Sequence, residues 1–355
     1  MKPRRQLTIK RVSGIIRCAL VPSWEPTQKQ VVVAIRTVVI LAAVVLILTG
    51  IGYAYEITLW DWLQLLIVPA VLAGGGIWFN WAQKEREQAL ADKRAQDAAL
   101  QAYLDHMAQL LIDQPLRRAQ PGDNLSLVAR ARTVTVLGRL DGFRKGSVLQ
   151  FLHESGLIEK EQPVIDLGGA PLSEASLSEI HLGGANLNST NLSNAELVGA
   201  DLSEANLKSA HLRGADLTFA RLRDASLSLA NLDDANLAFA QLSAADLNGA
   251  YLSNANLEGA QLVDTNLIGA NLASTRLNGA TLTFADLSDA DLSEANLVGA
   301  DLNCTNLTGA NLSGAEGLTQ EQIQEAIGNQ TTKLPDNLQR PEAWSKDIGE
   351  RPKEE

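Results

Sequence analysis

The chain has 355 residues, with 30 basic side chains, 41 acidic side chains and only two cysteines, Cys18 and Cys304. Two widely separated cysteines exclude a disulfide framework and a cysteine-rich zinc site. The net charge of −11 hides a segregation, because residues 1–36 carry eight Lys or Arg against Glu25 alone, whereas residues 163–316 carry five basic and nineteen acidic side chains.

Residues 1–36 form a basic N-terminal segment, and two apolar stretches follow it, at about 37–55 and 59–81. A helix needs about 20 apolar residues to cross a bilayer, and aromatic residues such as Trp60 and Trp81 stand near the ends of the second stretch, as in an interfacial belt. We therefore expect residues 37–81 to form two transmembrane helices joined as a hairpin. The alternatives are a cleaved signal peptide, which the distance from the N-terminus disfavours, and a hairpin buried in a soluble fold.

Basic residues precede the first apolar stretch and follow the second, and the short turn between them offers only Glu56 as a charge. Basic residues mark the cytoplasmic side of membrane proteins. The pattern predicts an integral protein of the plasma or thylakoid membrane, with both termini and the remaining domains in the cytoplasm. Its predicted membrane partners are lipids, bound through the two helices and through the basic segment, which would lie near anionic headgroups.

Residues 82–162 are predicted to form a helical linker and an N-terminal cap. The first helix carries an apolar stripe through Leu100, Tyr103, Met107 and Leu111 and runs to about Pro115. This stripe could pair with a second copy, which would make a homodimer. Two further helices are expected, the first running toward residue 140 and the second ending near residue 156.

Three basic residues of this segment, Arg139, Arg144 and Lys145, could indicate nucleic-acid binding. Acidic side chains nearly balance the basic ones in residues 82–162. A solvated helical face is therefore the favoured interpretation, and we do not expect nucleic acid as a partner.

From Leu167 to Leu312 every fifth residue is leucine, over thirty consecutive positions. Neither the helical period of about 3.6 residues nor the strand period of two keeps these leucines on one face. Self-similarity at a fixed period is the signature of a solenoid. Alanine stands two residues before the leucine in all but six repeats, and the exceptions are Ile165, Ile180, Thr190, Thr265, Thr275 and Thr305.

The tandem A(D/N)LXX pattern resembles the pentapeptide-repeat proteins over nearly half of the chain. The resemblance implies that residues 163–316 form a right-handed quadrilateral β-helix of about 7.5 coils, with four pentapeptides per coil. It also implies that each leucine, and the residue two places before it, points inward. Stacked coils place every fourth pentapeptide in one column, so Phe219 and Phe239 are expected to stack on the outside.

The wider arrangement of the chain resembles that of a membrane-anchored cyanobacterial group of pentapeptide-repeat proteins. In this arrangement an apolar hairpin is followed by "QAYLDHMAQLLID", then by "ARARTVTVLGRLDGFRKGSVLQFLHESGLI", and then by the repeats. This resemblance supplies no catalytic residues.

Both ends of the β-helix are expected to be covered, because an open end exposes unpaired strand edges. At the N-terminal end, the helical segment that ends at Leu157 and Ile158 provides the cap. At the C-terminal end, a capping helix is predicted at 317–328, with a capping box formed by Thr319 and Gln322. Residues 329–355 are polar and contain proline, which predicts a flexible tail.

No catalytic, cofactor-binding or metal-binding residues are predicted, and we expect the protein not to be an enzyme and to need no cofactor. His181 and His211 are separated by one and a half coils, which puts them on opposite faces, so they cannot share a metal. The order Lys145, Gly146, Ser147 does not match a phosphate-binding loop. The acidic side chains of the repeats stand on a convex, wet surface that would not shift their pKa values usefully.

The leading functional prediction is a membrane-anchored scaffold that presents a rigid acidic β-helix to a protein partner. An alternative comes from the family resemblance, because some members mimic B-form DNA and occupy gyrase, and the net charge of −14 across the repeats permits this. A further alternative is a regulatory or assembly factor for a membrane transporter or a lipid-export complex.

Overall fold

A computed structural model describes residues 59–112, 116–158 and 163–345 of the chain, with side chains described from residue 71 onward. The chain divides into two compact units, Met1–Gln88 and Ala89–Glu355. The α-helices of the described residues are α1 Leu59–Ile112, α2 Asn124–Leu137, α3 Gly142–Glu154 and α4 Gln320–Glu325, and short 3₁₀ helices lie at Leu116–Arg118 and Glu342–Ser345.

Helix α1 is continuous over 54 residues, so the second predicted transmembrane helix and the helical segment after it are parts of one element. Leu72, Ile77 and Phe79 are exposed large apolar side chains of this helix. Apart from Asp61 near its start, the charged residues of the helix begin at Lys84 and continue toward its C-terminal end.

Within the residues that the structure describes, no helix combines the length and the apolar character needed to cross a membrane. A crossing needs about 20 consecutive, predominantly apolar residues, and no described helix meets this requirement. The predictions of a transmembrane hairpin, and of an integral membrane protein with cytoplasmic termini and repeats, are therefore wrong for this part of the chain. The basic segment 1–36 and the first apolar stretch at 37–55 lie outside the described residues.

The C-terminal part of α1 packs with α2 and α3 into a helical cap. Tyr103 and Met107 of α1 are buried in one apolar cluster with residues of α2 and α3. The Tyr103 ring meets the Phe151 ring edge-on, with 6.5 Å between the centroids, and its hydroxyl lies 2.9 Å from that of Thr133. The stripe predicted along α1 is thus covered in large part by the chain's own helices.

Helix α3 lies directly against the first coil of the repeats, because Gly142 and Gly146 face that coil. A Cβ atom at Gly142 would clash with the carbonyl oxygen of Glu174, and one at Gly146 would clash with that of Ser176. The Gly142 carbonyl accepts a hydrogen bond of 3.0 Å from the Ser176 N–H group. Two glycines one helical turn apart stand on one helix face, so they permit backbone-to-backbone contact.

The repeats form a four-sided β-helix. Single-residue parallel bridges join equivalent positions of successive coils, four pentapeptides apart, as between Glu196 and Asp216, and they recur in every pentapeptide from Pro171 to Glu316. The leucine and the residue two places before it point inward in every coil and are buried, as predicted. Each side ends in a turn whose second corner residue has a positive φ, as type II turns require.

Hydrogen bonds account for all the backbone N–H groups of a repeat. In the repeat around Leu217, the N–H groups of Asp216, Leu217 and Phe219 donate to neighbouring coils, and that of Ala220 closes the turn on the Leu217 carbonyl. The remaining N–H group, of Thr218, donates to a side-chain oxygen of Asp216 at 3.1 Å. This last bond explains why Asn and Asp are frequent at the position before the leucine.

Threonine replaces alanine at four inward positions of the repeats without leaving a buried hydroxyl unsatisfied. The hydroxyls of Thr265, Thr275 and Thr305 donate to leucine carbonyls of the preceding coil at 2.8–2.9 Å. Thr190 instead bonds the Leu187 carbonyl of its own coil at 2.7 Å. A methyl and a bonded hydroxyl therefore fit where alanine is usual.

The last coil is covered by residues 317–345. The capping box of α4 is present as predicted, with Thr319 and Gln322 bonded reciprocally. The chain then continues the ladder, with Ile327 bridged to Asn306 and Lys333 bridged to Asn311.

Trp344 is 3% exposed and donates from Nε1 to the Ala326 carbonyl at 3.2 Å. Residues 329–345 thus differ from the flexible tail expected from their composition, because Trp344 returns to pack over Gly328. Residues 346–355 lie outside the described residues.

Candidate functional site

The outer surface of the β-helix is built from columns of side chains, each column taking one residue from every fourth pentapeptide. On one face, Asn186 donates to Asp166 at 2.8 Å, and Asn206 in turn donates to Asn186 at 3.2 Å. On other faces the same ladder joins Asn236 to Asp216 and Asn311 to Asp291. These carboxylates therefore take part in the ladder as well as in the turns.

Two of the outer carboxylates show shifted pKa values. Burial raises the pKa of Asp201, but hydrogen bonds from Ser203 and the nearby Arg221 guanidinium outweigh this effect and leave the pKa below its ordinary value. The pKa of Asp291 is lowered in the same way, by Ser293 and by the neighbouring coil. Both groups are thus held ionised, so neither is suited to act as a general acid near neutral pH.

Basic side chains interrupt the acidic surface. Arg213 pairs with Asp234 and Arg276 pairs with Glu258, both at 3.0 Å. Exposed pairs of this kind contribute little to stability, but they reduce the negative charge locally. Each of the four faces between 163 and 316 carries four or five of the acidic residues, so the negative charge does not gather on one face.

An exposed aromatic pair interrupts the polar columns. Phe219 and Phe239 occupy one corner column, and their rings stack as predicted, with 5.3 Å between the centroids and 14° between the planes. They are 57% and 47% exposed. Gly199 and Gly259 occupy the same column in the adjoining coils, and a Cβ at Gly259 would lie 2.6 Å from the Phe239 ring. We call these four residues the aromatic corner.

Both phenylalanines have φ angles of +58°. A positive φ brings the Cβ atom of an L-residue close to its own backbone and costs about 1–2 kcal/mol. Glycine, asparagine and aspartate adopt it most readily, and they fill many of the equivalent corners, as at Asn194 and Asn254. The aromatic corner therefore combines backbone strain with exposed apolar surface.

The histidines are placed as a coil of four pentapeptides requires. His181 is in the column that contains Asp201, whereas His211 is in the column that contains Asn191 and Asn231. The two columns are half a coil apart, so the two histidines lie on opposite faces. A contact that the sequence analysis missed brings His153 of α3 onto His181, with 5.7 Å between ring centroids and 17° between the planes. Nothing in the sequence signals it, because the two residues belong to elements of different type.

Cys304 is a free, exposed thiol, while Cys18 lies outside the described residues. In the described ranges, no group of three or more His, Cys, Asp or Glu side chains is arranged to hold a metal ion.

Comparisons with known proteins match the repeat region of the chain. A sequence profile described as pentapeptide repeats, in eight copies, matches residues 170–208, 210–249, 245–283 and 275–314. The chain is 35% identical to HetL, a pentapeptide repeat protein involved in heterocyst differentiation regulation in the cyanobacterium Nostoc sp. strain PCC 7120. This match covers 50% of the present chain and 86% of HetL, with a TM-score of 0.28.

The chain belongs to the pentapeptide repeat family. A second member, from the Arabidopsis thaliana thylakoid lumen, is 32% identical over 30% of the present chain and 68% of its own length, with a TM-score of 0.22. QnrB1, a plasmid-mediated fluoroquinolone resistance protein, is 24% identical over 46% of the present chain and 79% of its own, with a TM-score of 0.38. No curated protein sequence matches the chain. Pentapeptide repeat proteins are typically structural or interaction modules rather than enzymes.

Proposed function

We propose that this chain is a non-enzymatic protein-interaction module, whose β-helix presents the aromatic corner to a protein partner. The observation that carries the proposal is the stacked pair of Phe219 and Phe239, exposed at strained backbone positions. Isolated exposed apolar residues need no explanation, but an ordered aromatic pair offers a rigid contact of low conformational entropy. Aromatic residues of this kind dominate the energetics of protein interfaces.

The surroundings of the pair support the same function. The Phe239 ring packs over Gly259 of the next coil, where a Cβ atom would lie 2.6 Å from the ring, so the glycine lets the ring lie close to the β-helix surface. Every coil is fixed to its neighbours by hydrogen bonds, so the rings are held on a stiff surface and binding orders little of the chain. Pre-organisation of this kind favours affinity.

The experiment compares the full chain with the double variant Phe219→Asn/Phe239→Asn. Asparagine removes the apolar surface and fits a positive φ, as Asn194 and Asn254 do in this chain. Phe284→Asn is the matched control, because Phe284 is also exposed at a positive-φ corner in a different column. After chemical crosslinking in cell lysate, co-purifying proteins are quantified by mass spectrometry.

We expect at least one protein to be recovered with the wild type and with Phe284→Asn. We expect its recovery to fall about tenfold or more with the double variant, corresponding to at least about 1.4 kcal/mol of binding energy. Thermal unfolding should show that the double variant is as stable as the wild type. Equal recovery of every protein by the double variant would reject the aromatic corner as the binding surface.

The alternative, mimicry of DNA toward a DNA-binding enzyme such as gyrase, is favoured by the net charge of −14 across residues 163–316. Even spacing of the acidic residues over four faces, and the bonds that the ladder carboxylates already make, favour the interaction module instead. Strong inhibition of gyrase supercoiling by the full chain would reverse this preference. Homodimer formation and a role in assembling a transporter or lipid-export complex remain predictions about the partner.

A further inference from the structure

The cap contains basic residues of two kinds. Those of the first kind are already bonded: Arg130 donates to the carbonyls of Asp166 and Gly168 at 2.9 and 2.7 Å, and Lys145 donates to that of Ser173 at 2.7 Å. Arg144 pairs with Asp97 and Asp141. These side chains join the cap to the first coil or tie its helices together, so they are not free to contact a ligand.

Arg132 of α2 and Arg139, in the turn just after the end of α2, are of the second kind. Both are exposed, and neither side chain makes an ion pair or hydrogen bond with any residue that the structure describes. Arg132 lies in the last two turns of α2, and Arg139 lies in the turn that follows the helix. Of the three basic residues considered for nucleic-acid binding, Arg139 is the one whose side chain has no bonded partner among the described residues.

Both arginines line a groove of about 540 Å³ between α1 and α2. Ala99 and Ala102 of α1 and Ala131 of α2 contribute small side chains to it, and Val128 and Val136 add apolar surface. Small side chains allow a third helix to approach to the usual distance of about 8–10 Å between axes. The groove therefore has an apolar floor and an unneutralised basic rim.

Tyr103 closes the groove on the side of α1, and His106 lies one turn further along the same face. Burial raises the pKa of Tyr103 to about 12, and its hydroxyl is held by Thr133 inside the cap. The tyrosine thus presents a neutral, fixed ring. The walls of the groove are ordered before anything binds.

We propose that this groove binds an amphipathic helix of a partner protein, with Asp or Glu side chains that pair with Arg132 and Arg139 and small apolar residues that pack on the alanines. Charge complementarity selects the occupant, because the two arginines lack counter-charges in the described chain. A helix fits because the residues of α1 and α2 that line the groove follow helical spacing on both sides. This site is separate from the aromatic corner and does not depend on it.

The test uses fluorescence anisotropy of a labelled helical peptide of about 20 residues, a length that forms a stable amphipathic helix when its composition favours it. The peptide carries alanine and leucine on one face and glutamates two helical turns apart beside it. A second peptide carries lysine instead of glutamate, and a third has the composition of the first in scrambled order. Each peptide is titrated with the full-length chain.

The variants are Arg132→Glu/Arg139→Glu and the control Arg223→Glu, which reverses an exposed charge on the β-helix. We expect the wild type and the control to bind the glutamate peptide at least tenfold more tightly than the other two peptides. The double variant should lose this binding and should instead prefer the lysine peptide. Circular dichroism of the double variant should match that of the wild type.

The proposal is rejected if the glutamate peptide binds no better than its scrambled form, or if the charge reversal does not exchange the preference. It is also rejected if labelled single-stranded DNA of similar length binds more tightly than the peptide and depends on the same two arginines, since the groove would then recognise phosphate. Neither result bears on the aromatic corner.

Discussion

Single residues decide how closely the cap meets the β-helix. Gly142 and Gly146 permit contact between the α3 backbone and the first coil, and Pro171 stands at a position where later coils donate an N–H group to the coil before. A first coil has no such neighbour, so a residue without an N–H group leaves nothing unsatisfied there. The sequence predicted α3 but not this contact, because glycine spacing alone does not say what a helix face meets.

We predict that Gly146→Ala destabilises the chain by about 1–3 kcal/mol, because the added methyl group would overlap the Ser176 carbonyl and move α3 away from the first coil. Gly138→Ala is the matched control, since its Cβ would make ordinary contacts at 3.7–3.8 Å and its φ of −69° suits alanine. The measurement is urea unfolding followed by circular dichroism. Equal stability of the two variants would contradict the close contact.

At the scale of the element, the repeat period of five is explained by the narrow interior of the β-helix. The interior of each coil holds one leucine and one small residue per side, and the coil closes after four such sides. This part of the fold could be predicted from the sequence, because Leu167 to Leu312 repeat without an exception. The stacking of Phe219 on Phe239 followed from the same period.

Other contacts could not be predicted because they join elements of different period. His153 meets His181 only through the docking of α3 on the first coil. The groove beside Arg132 and Arg139 forms only where α1 and α2 pack together. Sequence patterns describe an element's own faces, whereas these features arise where two elements pack together.

We predict that Leu237→Ala lowers the free energy of unfolding by about 3 kcal/mol or more. Leu237 is fully buried between Leu217 and Leu257 of the adjoining coils, and the hydrogen bonds between coils prevent the cavity from collapsing. Gln241→Ala, an exposed position in the same coil, should change stability by less than about 0.5 kcal/mol. Denaturant unfolding of both variants provides the comparison, and a cost for Leu237→Ala near that of the control would indicate that this leucine is not in the core.

For the molecule as a whole, the composition of single segments was a poor guide to their structure. Two apolar stretches predicted a membrane hairpin, but no described helix is long and apolar enough to cross a membrane. Polar composition predicted a flexible tail from residue 329, yet Trp344 returns to the end of the β-helix. The second inference neglected that Trp344 packs over Gly328 at the end of the β-helix.

We predict that Trp344→Ala costs about 3–5 kcal/mol and exposes the edge of the last coil. The variant should then associate as its concentration rises, because unpaired strand edges bind one another. Trp344→Phe keeps most of the packing and loses only the hydrogen bond to Ala326, for which we expect about 1 kcal/mol and no association. Calorimetry and light scattering measure the two effects, and a monomeric, fully stable Trp344→Ala variant would contradict this role.

The closing of four equal sides into one coil also determines how such a molecule can change length. Duplicating one pentapeptide leaves the alanine and leucine interior intact but advances everything downstream by a quarter revolution, so every later side chain moves to a neighbouring wall. Duplicating four pentapeptides adds one complete coil, so the downstream side chains keep their original faces and the β-helix becomes one coil longer. Insertions of five residues can thus rotate one binding surface relative to another about the β-helix axis, while the fold is retained.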